Sequence, residues 1–184
     1  DQFQERKVVS RHVTLQPKEE ALLAIQQEIK FKSLSEGKSG QGDLLFSIGL
    51  FKGFLSSPEA MRATVRRRLE KVKEAAGSGL ASDAGLLEDL LERLDHLIEA
   101  EIDSKYDGLK AMLDALKWKG KKRDERIVIF SERIDTLAYL ERRLNAEFNL
   151  MSGVLKRFDG SLSDAEQQQL VDDFGREDSG IRIL

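Results

Sequence analysis

Two short loops hold the groups best suited to gripping an anion. Ser131-Glu132 and Asp159-Gly160-Ser161 each follow a short apolar run and precede an amphipathic one. Apolar runs of this kind read as buried parallel strands, and ligands of open parallel sheets collect outside the carboxyl ends of strands. Each loop also opens a helix, where backbone amides lack intrahelical partners and point outward, an arrangement that favours a phosphate. Gly160 lets the backbone come close, and Ser131 and Ser161 add hydroxyl donors. The plainer reading of the same residues is that Ser131 caps a helix and Gly160 makes a turn.

A second group is cationic. Lys117, Lys119, Lys121, Lys122 and Arg123 place five positive charges in seven positions, with Trp118 among them. Such a loop can follow a phosphate backbone while the indole stacks on a base. It is equally a solvated loop whose tryptophan anchors the end of the preceding helix, because charge runs are usually solvated. Arg66-Arg67-Arg68 spreads around a helix instead of lining one face. His96 lies one turn before Glu99, a spacing that can hold a metal, but His12 is isolated and no further ligand pair exists, so no metal site is expected.

The elements that must position these groups are legible as hydrophobic periods. Arg126 to Phe130, Val154 to Phe158 and Ile181 to Leu184 read as strands; 132–145 and a segment opened by the capping box Ser163-Asp164-Ala165-Glu166 read as the helices between them. The expected solution is a right-handed βαβαβ unit with a parallel sheet. Upstream, the pattern is helical. Residues 9–15 alternate as a short strand or extended lead-in, and Pro17 opens a helix to about Lys32. The segment 35–42, with three glycines, reads as a mobile loop. Asp43 can cap a helix with Leu44, Ile48, Phe51 and Leu55 on one face, weakened by Gly49 and Gly53. Ser57-Pro58-Glu59 restarts the chain as a helix with Met61, Val65, Leu69 and Val72 inward, and 75–85 reads as a linker. Leu87 to Ile102 carries the most regular apolar stripe, and a further helix from Ser104 turns Tyr106, Leu109, Leu113 and Leu116 inward. The fold expected is α/β: a helical region over 1–103, then a sheet-based region over 104–184.

Composition narrows the class. Of 184 residues 40% are hydrophobic, enough for a core, and 30 basic against 33 acidic residues leave a net charge of −3. A nearly balanced chain has no overall field to attract nucleic acid, so such binding must come from local placement. The sequence has no cysteine, which fits a reducing, cytoplasmic setting, and no apolar run of membrane-spanning length.

The wording of the second half adds to its pattern. Asp103-Ser104-Lys105, Leu109 to Leu116, ERIVIFSERIDTLAYLERRL, KRFDGSLSDAEQQQLVDDF and SGIRIL follow one another in order. Together they resemble the second RecA-like lobe of Swi/Snf-type helicase-like ATPases, with the bacterial RNA-polymerase-associated branch as the nearest cousin. SSPEAMRATVRRRLE in the helical part resembles that branch as well. The resemblance implies an inter-lobe helical region followed by an incomplete RecA-like parallel-sheet lobe. It implies that Ser131, Glu132, Gly160 and Ser161 contact the backbone of nucleic acid, expected to be double-stranded DNA, without reading bases. ATP and magnesium would belong to the full-length parent, with none bound by this chain.

The departures from the family matter too. No Gly-x-x-x-x-Gly-Lys-Ser/Thr phosphate loop occurs, and neither the acidic magnesium box nor the arginine segment of such motors is present. The expectation is a fragment that hydrolyses nothing by itself. A sheet ending at Leu184 would leave an apolar edge, so self-association through that edge or through the leucine stripe is expected. The alternative function is a helical protein-interaction module on an α/β scaffold. A receiver-like regulator would need a phosphoacceptor aspartate where Ser131 stands.

Overall fold

The computed structural model describes residues 8–31, 41–74, 80–122 and 125–184, without the side chains of 41–43, 80 and 81. Among them are seven helices: α1 (Pro17–Glu28), α2 (Gln41–Ser56), α3 (Pro58–Glu74), α4 (Leu80–Glu99), α5 (Ser104–Ala115), α6 (Ile134–Phe148) and α7 (Asp164–Gly175). Residues 8–16 form no strand, and Val8, Val9 and Val13 are exposed. Most of the expected glycine loop lies outside the described residues, and its end, Gln41-Gly42, is already helical. Of the expected linker, residues 80–85 belong to α4 and the rest lie outside the described residues.

Local chemistry explains most helix starts. Pro17 and Pro58 occupy first-turn positions where a missing N–H costs nothing. Ser57 Oγ accepts from the Ala60 amide at 3.1 Å, and Ser163 with Glu166 closes a reciprocal capping box. Asp103 caps α5 by accepting from the amides of Lys105 and Tyr106.

Two apolar cores result. In the first, α3 packs against both α2 and α4, and α1 leans on α2 and α4. It buries Leu50 and Phe54, Met61, Val65, Leu69 and Val72, and the stripe Leu87, Leu90, Leu94 and Leu97. The leucine stripe is thus spent on the interior. The second core gathers Tyr106, Leu113, Trp118, Tyr139, Leu144 and Ile183. Leu116, expected inward, is exposed beyond the end of α5.

The α/β expectation is overturned. The described residues form no strand and no sheet, so the incomplete RecA-like parallel-sheet lobe is not what this chain builds. The three expected strands are extended pieces that meet only at isolated parallel bridges, Ile127–Ile183 and Leu155–Ile183. Residues 181–184 lie between the other two pieces, with Ile127 donating to Arg182 O at 2.9 Å and Lys156 to Ile183 O at 3.0 Å. Phe130 and Phe158 therefore do not sit on adjoining strands. Phe130 is 91% exposed. A β-branched apolar run reports burial against something; here Ile127, Ile129 and Leu155 pack into the second core without laddering residue after residue. The apolar sheet edge expected at Leu184 is likewise absent.

Gly53 sets how close α2 comes to α3. A Cβ there would stand 2.9 Å from Met61 Cα and 3.2 Å from Met61 N, backbone atoms that cannot swing aside. Gly85, by contrast, faces open space on α4. Overpacking costs about 1–3 kcal/mol, whereas replacing a mid-helix glycine returns about 0.5–1 kcal/mol. Gly53→Ala is therefore expected to lower the unfolding free energy and Gly85→Ala to raise it. Urea unfolding of the two variants checks the opposite signs.

Candidate functional site

Ser131 lies where the two halves of the chain touch. Its hydroxyl accepts from the Arg133 amide at 3.2 Å and stands 3.4 Å from Ser56 Oγ. Ser56 Oγ is 2.6 Å and Ser57 Oγ 2.8 Å from Thr136 Oγ1, so the end of α2 meets the first turn of α6 through hydroxyls. Arg133 is the N-cap of α6, and its guanidinium reaches Thr64 Oγ1 and the Ala60 carbonyl on α3. Arg142 pairs with Glu59 at 2.8 Å and Arg67 with Asp135 at 3.4 Å along the same boundary.

Of these groups Ser56, Ser131 and Thr136 border an open cleft of about 250 Å³, lined also by Leu55, Asp103, Lys105, Phe130 and Tyr139, among others. Lys105 Nζ donates to the Phe54 carbonyl at 2.9 Å and sits over the Phe54 ring. Asp103 and Tyr139 of the lining are buried. Burial pushes the Asp103 carboxyl above its ordinary value, against the pull of Lys105 and of the two amides it caps. Burial and the neighbouring Asp103 carboxylate raise the Tyr139 phenol far above its usual range. Arg143 donates to Tyr139 Oη at 3.2 Å and stacks 4.1 Å from the centre of the Tyr106 ring. The cleft thus gathers three hydroxyls, one ammonium and one carboxyl whose pKa burial raises.

The remaining sequence candidates fall elsewhere. Glu132 is exposed. Gly160 and Ser161 are exposed as well, and the Ser161 amide is already taken by Asp159 Oδ1 at 2.8 Å. The Ser161 hydroxyl and amide, followed by Arg157, hold Asp159 below the usual carboxylate range. An incoming phosphate there would meet a carboxylate that has claimed the donors first. The parallel bridges do send both loops off the same end of the extended pieces, and Phe130 and Phe158 line one apolar cleft there.

In the basic cluster Trp118 is buried. Its indole donates to the Glu125 carbonyl at 3.0 Å and meets the Phe148 ring edge-on, so it anchors the loop and does not stack on a base. Lys117, Lys119 and Lys121 are exposed and Lys122 pairs with Glu125 at 2.7 Å. Arg123 lies outside the described residues. Among the described residues no group of three or more histidine, cysteine, aspartate or glutamate side chains is placed to hold a metal ion, and no helix is long and apolar enough to cross a membrane.

Sequence reasoning passed over Ser56, Thr136, Asp103 and Tyr139 as site residues. Ser56 stood out only as part of a helix restart and Asp103-Ser104-Lys105 only as a family word. Their meeting depends on α3 lying across α6. No protein-family model, no curated protein and no solved structure matches this chain.

The raised Asp103 predicts a pH signature. A carboxyl whose folded pKa exceeds its unfolded one contributes stability fully below the ordinary carboxylate range, and that contribution is lost as pH rises through the raised value. Asp103→Asn keeps an oxygen to cap α5 and removes the charge. Its urea-unfolding free energy minus that of the native chain, followed from about pH 3 to pH 7, is expected to rise with pH as the native Asp103 contribution is lost.

Proposed function

We propose that this chain is part of a nucleic-acid-dependent ATPase of the Swi/Snf kind, to which it contributes a contact with the sugar-phosphate backbone. One observation carries the reading. Ser56, Lys105, Ser131 and Thr136 come from three of the sequence words that resemble that family, and all four line one open cleft. Hydroxyls and an ammonium are the groups that hold phosphate oxygens without reading bases. Gly160-Ser161 leaves the same end of the extended pieces as Ser131. In this reading ATP and magnesium belong to the parent, and this chain supplies no catalytic residue.

Fluorescence anisotropy with a labelled DNA duplex tests it. Binding is expected to be weak and salt-dependent, with a log–log slope near −2 for two or three phosphate contacts at about −0.9 each. Ser131→Asp, with circular dichroism confirming the fold, is expected to weaken binding at least about tenfold. Gly160→Asp reports whether the second loop belongs to the same contact. Affinity unaffected by Ser131→Asp would end the assignment. A second reading, a protein-interaction module, draws on a different observation: an apolar face of α2 that the fold leaves uncovered.

A further inference from the structure

α2 is apolar nearly all round, yet the fold uses one side of it. Leu50 and Phe54 turn into the first core and Phe46 packs against it. Leu44, Ile48, Phe51 and Leu55, the face the sequence pattern assigns to the interior, remain 62, 43, 40 and 54% exposed. At 3.6 residues per turn these four fall within an arc of about 60°. Helices that are hydrophobic all round are normally covered on all sides.

The spacing of the four names what covers them. Steps of four, three and four are the seam of a two-helix coiled coil, positions d, a, d and a. The set is also symmetric about the midpoint between Gly49 and Leu50: 44 mirrors 55, and 48 mirrors 51. Laid antiparallel on a second α2, Leu44 meets Leu55 of the other copy and Ile48 meets its Phe51, each contact occurring twice. That reciprocity is what a two-fold interface requires. Between Leu44 and Leu55 the one charged residue is Lys52, and the same register sets it beside Leu45 of the other copy instead of a second lysine. Its stem can cover that leucine while its ammonium stays wet. The helix is already held by the first core, so pairing does not have to order it first.

We propose that α2 is a dimerisation helix that pairs antiparallel with α2 of a second copy of this chain. The proposal gives the interaction-module reading its partner; it shares Leu55 with the lining of the cleft, and anisotropy tests the nucleic-acid reading separately.

Sedimentation equilibrium on the whole chain is expected to show a species of twice 20.8 kDa that dissociates on dilution. Ile48→Lys and Phe51→Lys are expected to yield monomer with unchanged helicity. The absence of native cysteine gives an independent check that tolerates a misfolded lysine variant. An oxidised mixture of Leu44→Cys and Leu55→Cys chains is expected to cross-link, and neither variant alone, because like positions lie about 16 Å apart along the antiparallel pair. A chain that stays monomeric at high concentration overturns the proposal. So does a dimer that survives both lysine variants, or a cross-link in Leu44→Cys alone.

Discussion

A buried carboxylate joins the two halves of this molecule. Glu19, on α1 of the first core, accepts the Ser104 amide at 3.1 Å and the Ser104 hydroxyl, and also the Gln16 amide at 2.8 Å. It therefore closes the start of its own helix and the start of α5, which belongs to the second core. The two apolar clusters share no side chain among the described residues. Apolar burial has no direction, so it drives each cluster to form but leaves their mutual angle open. Hydrogen bonds have direction, and leaving one buried partner unmade costs about 1–3 kcal/mol. Glu19–Ser104 and Ser57–Thr136 thus select one arrangement of the halves.

That arrangement makes the cleft beside Ser131. Ser56 ends α2, Thr136 lies in the first turn of α6 and Lys105 lies in the first turn of α5; each is ordinary where it stands in the chain. Ser131 completes the group because the turn before α6 bends its hydroxyl toward the α2–α3 junction. The same seam that orients the cores also gathers donors around one opening, so stability and the proposed contact draw on the same residues. Ion pairs such as Arg67–Asp135 lie in the open and add little by themselves, since exposed pairs contribute about 0–1 kcal/mol.

α2 and the extended pieces show where one-dimensional patterns run short. On α2 the apolar period is real, but a helix with two apolar faces offers the core a choice. The choice fell to Leu50 and Phe54 because Gly53, on their side, lets α3 approach to contact distance. In the second half, Ile127 to Phe130 has the composition of a buried strand, yet composition cannot report how many residues find a partner alongside. Ile183 bridges both neighbours once, and pairing goes no further than isolated bridges. Trp118, in a run of cations, took the inward position because its indole found the Glu125 carbonyl and the Phe148 ring.

Local rules settled what lies within a few residues: Pro17 and Pro58 at helix starts, the Ser163–Glu166 box, Asp103 as a cap, and the inward stripes of α3 and α4, because each depends on neighbours in the chain. Tertiary structure alone decided which face of α2 is buried, that the extended pieces form no sheet, and that Ser56, Lys105, Ser131 and Thr136 meet. Those outcomes rest on contacts between residues as many as 80 positions apart, as for Ser56 and Thr136. No periodicity encodes such contacts; only the packing of preformed helices brings them into reach.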